Sequence, residues 1–242
     1  MVVSGAAVTA LSVLLGGCVG GSEVPSPDPV GNGPSSPGSS DKGPEASRSY
    51  PRVPGVGDRM HARIPQAARQ VVAVYGQGRD SARSTVALYT KDGDRFRRQF
   101  EWRGHNGRRG WTPDHREGDK RSPTGVFTLT DAGGVLPDPG SGLPYTQSES
   151  FTPPTYWPKK TRHDFDRVIA IDYNRVRGTS PLDPTRPRGQ SKGGGIWLHV
   201  DHGSGTSGCV SISSAGMKRL LRTLDPDRRP VVVMGDRDTL RK

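Results

Sequence analysis

The sequence predicts a mostly β domain, sandwich- or barrel-like, with one packed α-helix, and three observations predict it. Short apolar runs recur between Gly, Pro and Asn clusters from about residue 66 onward. One of those runs alternates with a period of two, and only one later stretch carries a helical period.

Taken in chain order, residues 1–17 carry no charge, and VVSGAAVTALSVLL is too short and too rich in small residues for a membrane-spanning helix. The stretch ends on Leu15-Gly16-Gly17-Cys18, which resembles the lipobox of bacterial lipoproteins, where cleavage before the cysteine exposes a thiol for lipidation. The expectation is a signal peptide over 1–17 and a lipid anchor on Cys18; an ordinary cleavable leader with an incidental cysteine is the alternative. From Val19 to about Gly57 the chain is dense in Pro, Gly and Ser and too poor in apolar residues to offset the entropy of ordering. Residues 18–65 are therefore expected to form a disordered, lipid-anchored linker, about 45 residues of which reach roughly 35–40 Å. Residues 66–242 are expected to form the folded domain, a normal single-domain size.

Within that domain the expected strands are Val71 to Tyr75, Thr85 to Tyr89, Phe96 to Trp102, Val126 to Thr130, Val168 to Tyr173, Ile196 to Val200 and Val231 to Met234. Phe96, Arg98, Phe100 and Trp102 share one parity and Arg95, Arg97, Gln99 and Glu101 the other, as in a half-buried strand. In the helix, Met217, Leu220, Leu221 and Leu224 fall at i, i+3, i+4 and i+7. Ser213 or Ser214 caps it and Pro226 ends it.

The chemistry concentrates in HVDHGSGTSGC, His199 to Cys209. Once Cys18 is lipidated or removed, Cys209 is the single thiol of the mature domain, which argues against an internal disulfide. Strand parity turns Ile196, Leu198 and Val200 to one face and Trp197 with His199 to the other. The glycine-rich loop after Val200 lets the chain turn back and bring Cys209 near His199. A neighbouring imidazolium would stabilise the thiolate, and the same imidazole would later protonate a leaving amine. Gly208 permits close approach of a carbonyl substrate, with the amides of Gly208 and Cys209 facing the developing oxyanion. Two other readings stay open: a buried structural cysteine with a core histidine, and a zinc site from His199, His202 and Cys209, although no Glu neighbours either histidine as in H-E-x-x-H.

The remaining candidates read as structural. His61, His105, His115 and His163 sit in polar contexts expected to be solvent-exposed loops. Trp102, Trp111 and Trp157 are expected in sheet or core packing rather than along a groove. Asp172-Tyr173-Asn174 is expected to form a turn.

Lys120-Arg121-Ser122-Pro123-Thr124-Gly125-Val126-Phe127, followed by Leu198-His199-Val200 and Ser207-Gly208-Cys209-Val210, resembles the L,D-transpeptidase (YkuD-type) catalytic domain, over roughly Val71 to Gly235. The resemblance implies a β-rich domain whose cysteine attacks a peptidoglycan stem tetrapeptide after its diamino acid and releases D-alanine. The acyl group then passes to an amine, forming a 3-3 cross-link or a protein attachment, or to water, as in an L,D-carboxypeptidase. By this resemblance Cys209 is the nucleophile, His199 the catalytic histidine and Gly208 the glycine before the cysteine; Ser207 and His202 are expected on the oxyanion or substrate side, His202 at the rim. The common form of the family has a longer loop, a histidine where Ser207 stands and an arginine where Ser211 stands. No cofactor or metal is implied. A zinc-dependent peptidase and a non-catalytic wall-binding lipoprotein remain the competing classes.

The net charge of +11 favours polyanionic partners. It is spread along the domain without the aromatic interleaving of a nucleic-acid binder, so the expected partners are stem peptides and anionic wall polymers or lipids, not nucleic acid. The expected location is the outer face of the cytoplasmic membrane or the cell wall, and the expected state a monomer.

Overall fold

The computed structural model describes residues 48–242. Their strands are β1 (Ser49–Tyr50), β2 (Gln70–Gly76), β3 (Arg83–Asp92), β4 (Arg95–His105), β5 (Trp111–Thr112), β6 (Ser122–Pro123), β7 (Gly125–Thr128), β8 (Ala132–Gly134), β9 (Tyr145–Gln147), β10 (Val168–Ala170), β11 (Trp197–Val200), β12 (Val210–Ile212) and β13 (Val231–Asp236). The α-helices are α1 (Asp58–His61), α2 (Ser214–Thr223) and α3 (Arg237–Leu240). Eleven strands join one mixed sheet in the order β7-β13-β2-β3-β4-β12-β11-β10-β8-β9, with β1 on β4, while β5 and β6 pair separately. Every expected strand is present, and the expected helix is α2.

Two interior strands explain their own sequences. β2 and β13 are parallel, in register from Val231↔Val71 to Asp236↔Gly76, and both faces are covered, so each reads as an unbroken apolar run. Val72, Val74, Val232 and Met234 face one hydrophobic cluster, which also takes Met217, Leu220 and Leu221 of α2 and its C-cap Leu224. The side chain of Ser213 accepts the Gly216 N–H and starts that helix.

Val71, Ala73, Val231 and Val233 face a second cluster, closed by Val53, Val56, Met60, Ile64 and Ala68 from before β2 and by Leu240 of α3. This corrects the expected boundary at residue 66. Residues 48–65 include β1, α1 and four buried apolar side chains, and so belong to the packed domain rather than to a linker. The segment upstream of residue 48, including the expected leader and Cys18, lies outside the described residues.

The expected single parity of Phe96 to Trp102 is also corrected. The β3–β4 register shifts between Leu88 and Tyr89, which pair with Phe100 and Arg98 and leave Gln99 as an extra residue. Phe96 therefore joins the second cluster, whereas Phe100 and Trp102 pack on the first. Among the described residues no helix is long and apolar enough to cross a membrane.

Candidate functional site

β11 and β12 run parallel, with Leu198 beside Val210, His199 beside Ser211 and Val200 beside Ile212. Leu198, Val200, Val210 and Ile212 go to the core. By the pleat, Trp197, His199 and Ser211 take the opposite face, and Cys209, one residue before β12, continues that row toward Trp197. The Trp197 N–H donates to Cys209 Sγ at 3.4 Å, and the thiol lies 3.5 Å from the Gly195 carbonyl as its acceptor. Cys209 and His199 both line one cavity of about 1020 Å³, together with Trp197, Asp164, Phe165 and His202.

His199 is held in one tautomer and one plane. Its Nδ1–H donates to the Val200 carbonyl at 2.8 Å, leaving Nε2 as the unprotonated nitrogen. Phe165 packs edge-on against it at 5.4 Å and against Trp197 at 5.1 Å. Burial takes His199 down to about 4, despite the opposing Val200 hydrogen bond. Burial likewise lifts the Cys209 thiol to about 11, against the smaller pull of the Trp197 amide. Both shifts run against the expected imidazolium–thiolate pair: burial disfavours the charged form of each group, so the resting thiol and ring are uncharged at neutral pH.

The turn that presents Cys209 is built from two distant segments. Gly208 adopts φ +147°, a conformation suited to glycine. Its amide donates to Thr206 Oγ1 at 3.1 Å, and that hydroxyl donates to the Cys209 carbonyl at 2.6 Å. Of the two amides expected to face an oxyanion, that of Gly208 is therefore already taken. From the other side, the Ser122 hydroxyl accepts the Gly107 N–H at 2.9 Å and donates to the Gly208 carbonyl at 2.7 Å. This is the physical link between the Ser-Pro-Thr-Gly stretch and the Ser-Gly-Cys stretch: the first braces the turn of the second.

The loop from Asp201 to Ser207 is also fastened. Asp201 Oδ1 accepts from Ser211 Oγ at 2.6 Å and from His105 Nδ1 at 2.8 Å, and Oδ2 accepts the Gly203 N–H. Burial pushes the Asp201 carboxyl up, but the Ser211 and His105 hydrogen bonds outweigh it and hold the group below the usual carboxylate range. His202 is not at the rim. Its Nδ1 lies 2.9 Å from Asp164 Oδ2, with side-chain exposures of 8% and 6%, so the pair forms part of the cavity wall. Ser207, which also lines the cavity, accepts from the Arg108 guanidinium at 3.2 Å.

Other expectations divide. His163 is exposed, but His115 is buried, 3.0 Å from Asp119, and His105 is half-buried on Asp201, because charged partners make both sites polar without making them exposed. Trp111 packs in the core and Trp102 stacks on Phe100, as expected, whereas Trp157 lines the cavity. Asn174 turns the chain at φ +48°, yet Tyr173 is buried and the Asp172 side chain is enclosed in an ion pair with Arg175. Sequence reasoning missed Asp164, Phe165 and the role of Thr206, and quoted Ser122 in a motif without giving it a role; all but Thr206 lie far from the cysteine in sequence. Among the described residues no group of three or more His, Cys, Asp or Glu side chains is gathered as for a metal ion.

The model of a protein family described as the L,D-transpeptidase catalytic domain (YkuD) matches residues 79–233, well over half of the chain. The solved structure of Bd1075 from Bdellovibrio bacteriovorus aligns at 17% identity with a TM-score of 0.42, over 76% of this chain and 54% of that one. The chain thus spans about half the length of that protein. Among curated proteins, none matches.

Proposed function

We propose, from the premise that the chain belongs to the YkuD L,D-transpeptidase catalytic-domain family, that it remodels peptidoglycan by cysteine acyl transfer, with Cys209 as nucleophile and His199 as its base. Family membership carries L,D-transpeptidase-type peptidoglycan modification in general. The observation that supports the finer reading is that Cys209 and the fixed His199 ring open into the same cavity.

The mechanism starts from neutral groups. His199 Nε2 takes the thiol proton as Cys209 Sγ attacks the diamino acid's carbonyl, whose amide bond to the terminal D-alanine then breaks. The Cys209 amide faces the developing oxyanion. The protonated His199 then passes its proton to the departing D-alanine amine, and the thioester remains on Cys209. An amine of another stem or of a protein discharges it; with water as acceptor the same residues perform L,D-carboxypeptidase chemistry. Trp197 and Phe165 pack edge to face, and Phe165 packs on the His199 ring, which holds the base in place for this transfer.

The basic domain, the lipobox-like leader and the Pro/Gly-rich tether support a lipid-anchored protein facing the wall, with stem peptides and anionic polymers as partners. The reading is tested by incubating the purified protein with a carbapenem and measuring intact mass. An adduct in the natural protein, absent in Cys209→Ala and formed about 10²–10⁴-fold more slowly in His199→Ala, is expected. An adduct undiminished in Cys209→Ala, or equal slowing by His199→Ala and His202→Ala, contradicts it.

A further inference from the structure

The acylation half of this scheme uses one histidine, yet the cavity wall holds two. His202 and Asp164 form a nearly buried pair at 2.9 Å, and both line the cavity that contains Cys209. Burial raises the Asp164 carboxyl to about 7, so near neutral pH the pair holds its hydrogen on either partner; once the carboxyl is ionised it only accepts, His202 Nδ1 donates and Nε2 is the basic nitrogen. Burying an ionisable pair costs desolvation, so a loop that only had to turn the chain would be more stable without it.

The pair is also held from both sides. The Asp164 carbonyl accepts the Val200 N–H at 3.0 Å, which ties it to the strand carrying His199. The residue before His202, Asp201, is clamped by Ser211 and His105. A fixed imidazole backed by a carboxylate is the usual arrangement of a base that must bear a transient positive charge.

We propose that His202, positioned by Asp164, is the base of the second half-reaction, taking the proton of the acyl acceptor while His199 serves Cys209 and the leaving group. The inference rests on Cys209 carrying the acyl group. In the step, the acceptor nitrogen, or a water oxygen, attacks the thioester carbonyl and forms the new C–N or C–O bond. The C–S bond breaks and its electron pair returns to sulfur. The acceptor proton goes to His202 Nε2 and from there, through solvent in the cavity, to the sulfur, so that thiol and imidazole both end uncharged. The division explains why a second histidine stands on the loop while the position just before Gly208 holds only Ser207.

The test separates formation of the acyl-enzyme from its discharge. Natural protein, His202→Ala, His202→Gln and Asp164→Asn are mixed with a stem tetrapeptide, and acyl-enzyme is followed by intact mass with and without added amine acceptor. The variants are expected to acylate within about two- to threefold of the natural protein and to discharge about 10²-fold or more slowly, so that acyl-enzyme accumulates. Added imidazole should restore discharge in His202→Ala. Hydroxylamine, a reactive amine already unprotonated at neutral pH, should discharge all forms at similar rates. Discharge at the natural rate in folded His202→Ala, or equal slowing of formation and discharge, overturns the proposal. If the natural protein forms no acyl-enzyme, the reading of Cys209 itself fails, which is a different result. Comparison of amine and water products tells which acceptor the base serves.

Discussion

A resting pair of uncharged groups makes a sharp statement about how Cys209 responds to pH. Burial lifts its thiol to about 11 and takes His199 down to about 4. At pH 7 the thiolate is then about one part in 10⁴, roughly two orders of magnitude less than for a thiol titrating near 9, and each unit of pH raises it about tenfold. Iodoacetamide reacts with the thiolate, so its rate at Cys209 should climb about 10³-fold from pH 6 to pH 9 without a plateau. The rate is read on the peptide that contains Cys209, so that Cys18 is not counted. Acylation by a carbapenem should behave differently, because it draws on unprotonated His199. Raising the pH through His199's own value fills the base form early, so acylation should be flat from about pH 6 to pH 9 and fall only as the pH drops toward 4. An alkylation rate that levels off by pH 7 would mean that the thiolate exists before substrate arrives, and would refute the neutral-pair account.

Three further outcomes follow from the packing around the site. Met60→Ala removes a side chain that closes the second hydrophobic cluster; urea unfolding should show a loss of about 2–5 kcal/mol, and a loss under 1 kcal/mol would return residues 48–65 to the status of a linker. Ser122→Ala withdraws the hydroxyl that braces the Gly208 carbonyl. Acylation should slow about tenfold with a stability cost of about 1–3 kcal/mol, and Ser122→Thr should restore both if the hydroxyl is the cause. Asp201 has a depressed folded value, so its contribution to stability is present above the ordinary carboxylate range and is lost as the pH falls through that folded value. Thermal melts between pH 2 and pH 5 should therefore show a steeper acid loss in the natural protein than in Asp201→Asn, which should already be less stable at pH 7.

How much of this was legible in sequence depends on whether the signal is local. Valine runs such as those of β2 and β13 declare strands by themselves, and the leucine spacing of α2 declares a helix. The succession of histidine, glycine loop and cysteine is equally local, so Cys209 and His199 are named together as candidates from sequence, and both line one cavity. What escaped detection depends on contacts between distant segments. Val53, Val56, Met60 and Ile64 are spaced three or four residues apart, but their Pro- and Gly-rich setting hid the fact that a sheet face needs them as cover. The β4 bulge splits one alternation into two faces, which periodicity alone cannot register. Asp164 and Phe165 lie in a segment with no regular pattern and are held at the site by contacts with distant residues: the Val200 amide, His202 and the Trp197 and His199 rings. The ionisation of the cysteine was misread for the same reason: a neighbouring histidine lowers a thiol's pKa in water, and burial, which only the fold reveals, reverses the sign.

The account stands on sulfur 209 carrying the acyl group of a stem peptide. The most direct measurement mixes stoichiometric protein with a stem tetrapeptide, quenches early, and counts released D-alanine against acylated Cys209 peptide. The account predicts one D-alanine per acylated Cys209 and neither product in Cys209→Ala. D-alanine released without acylation of Cys209, or acylation found on another residue, would contradict it.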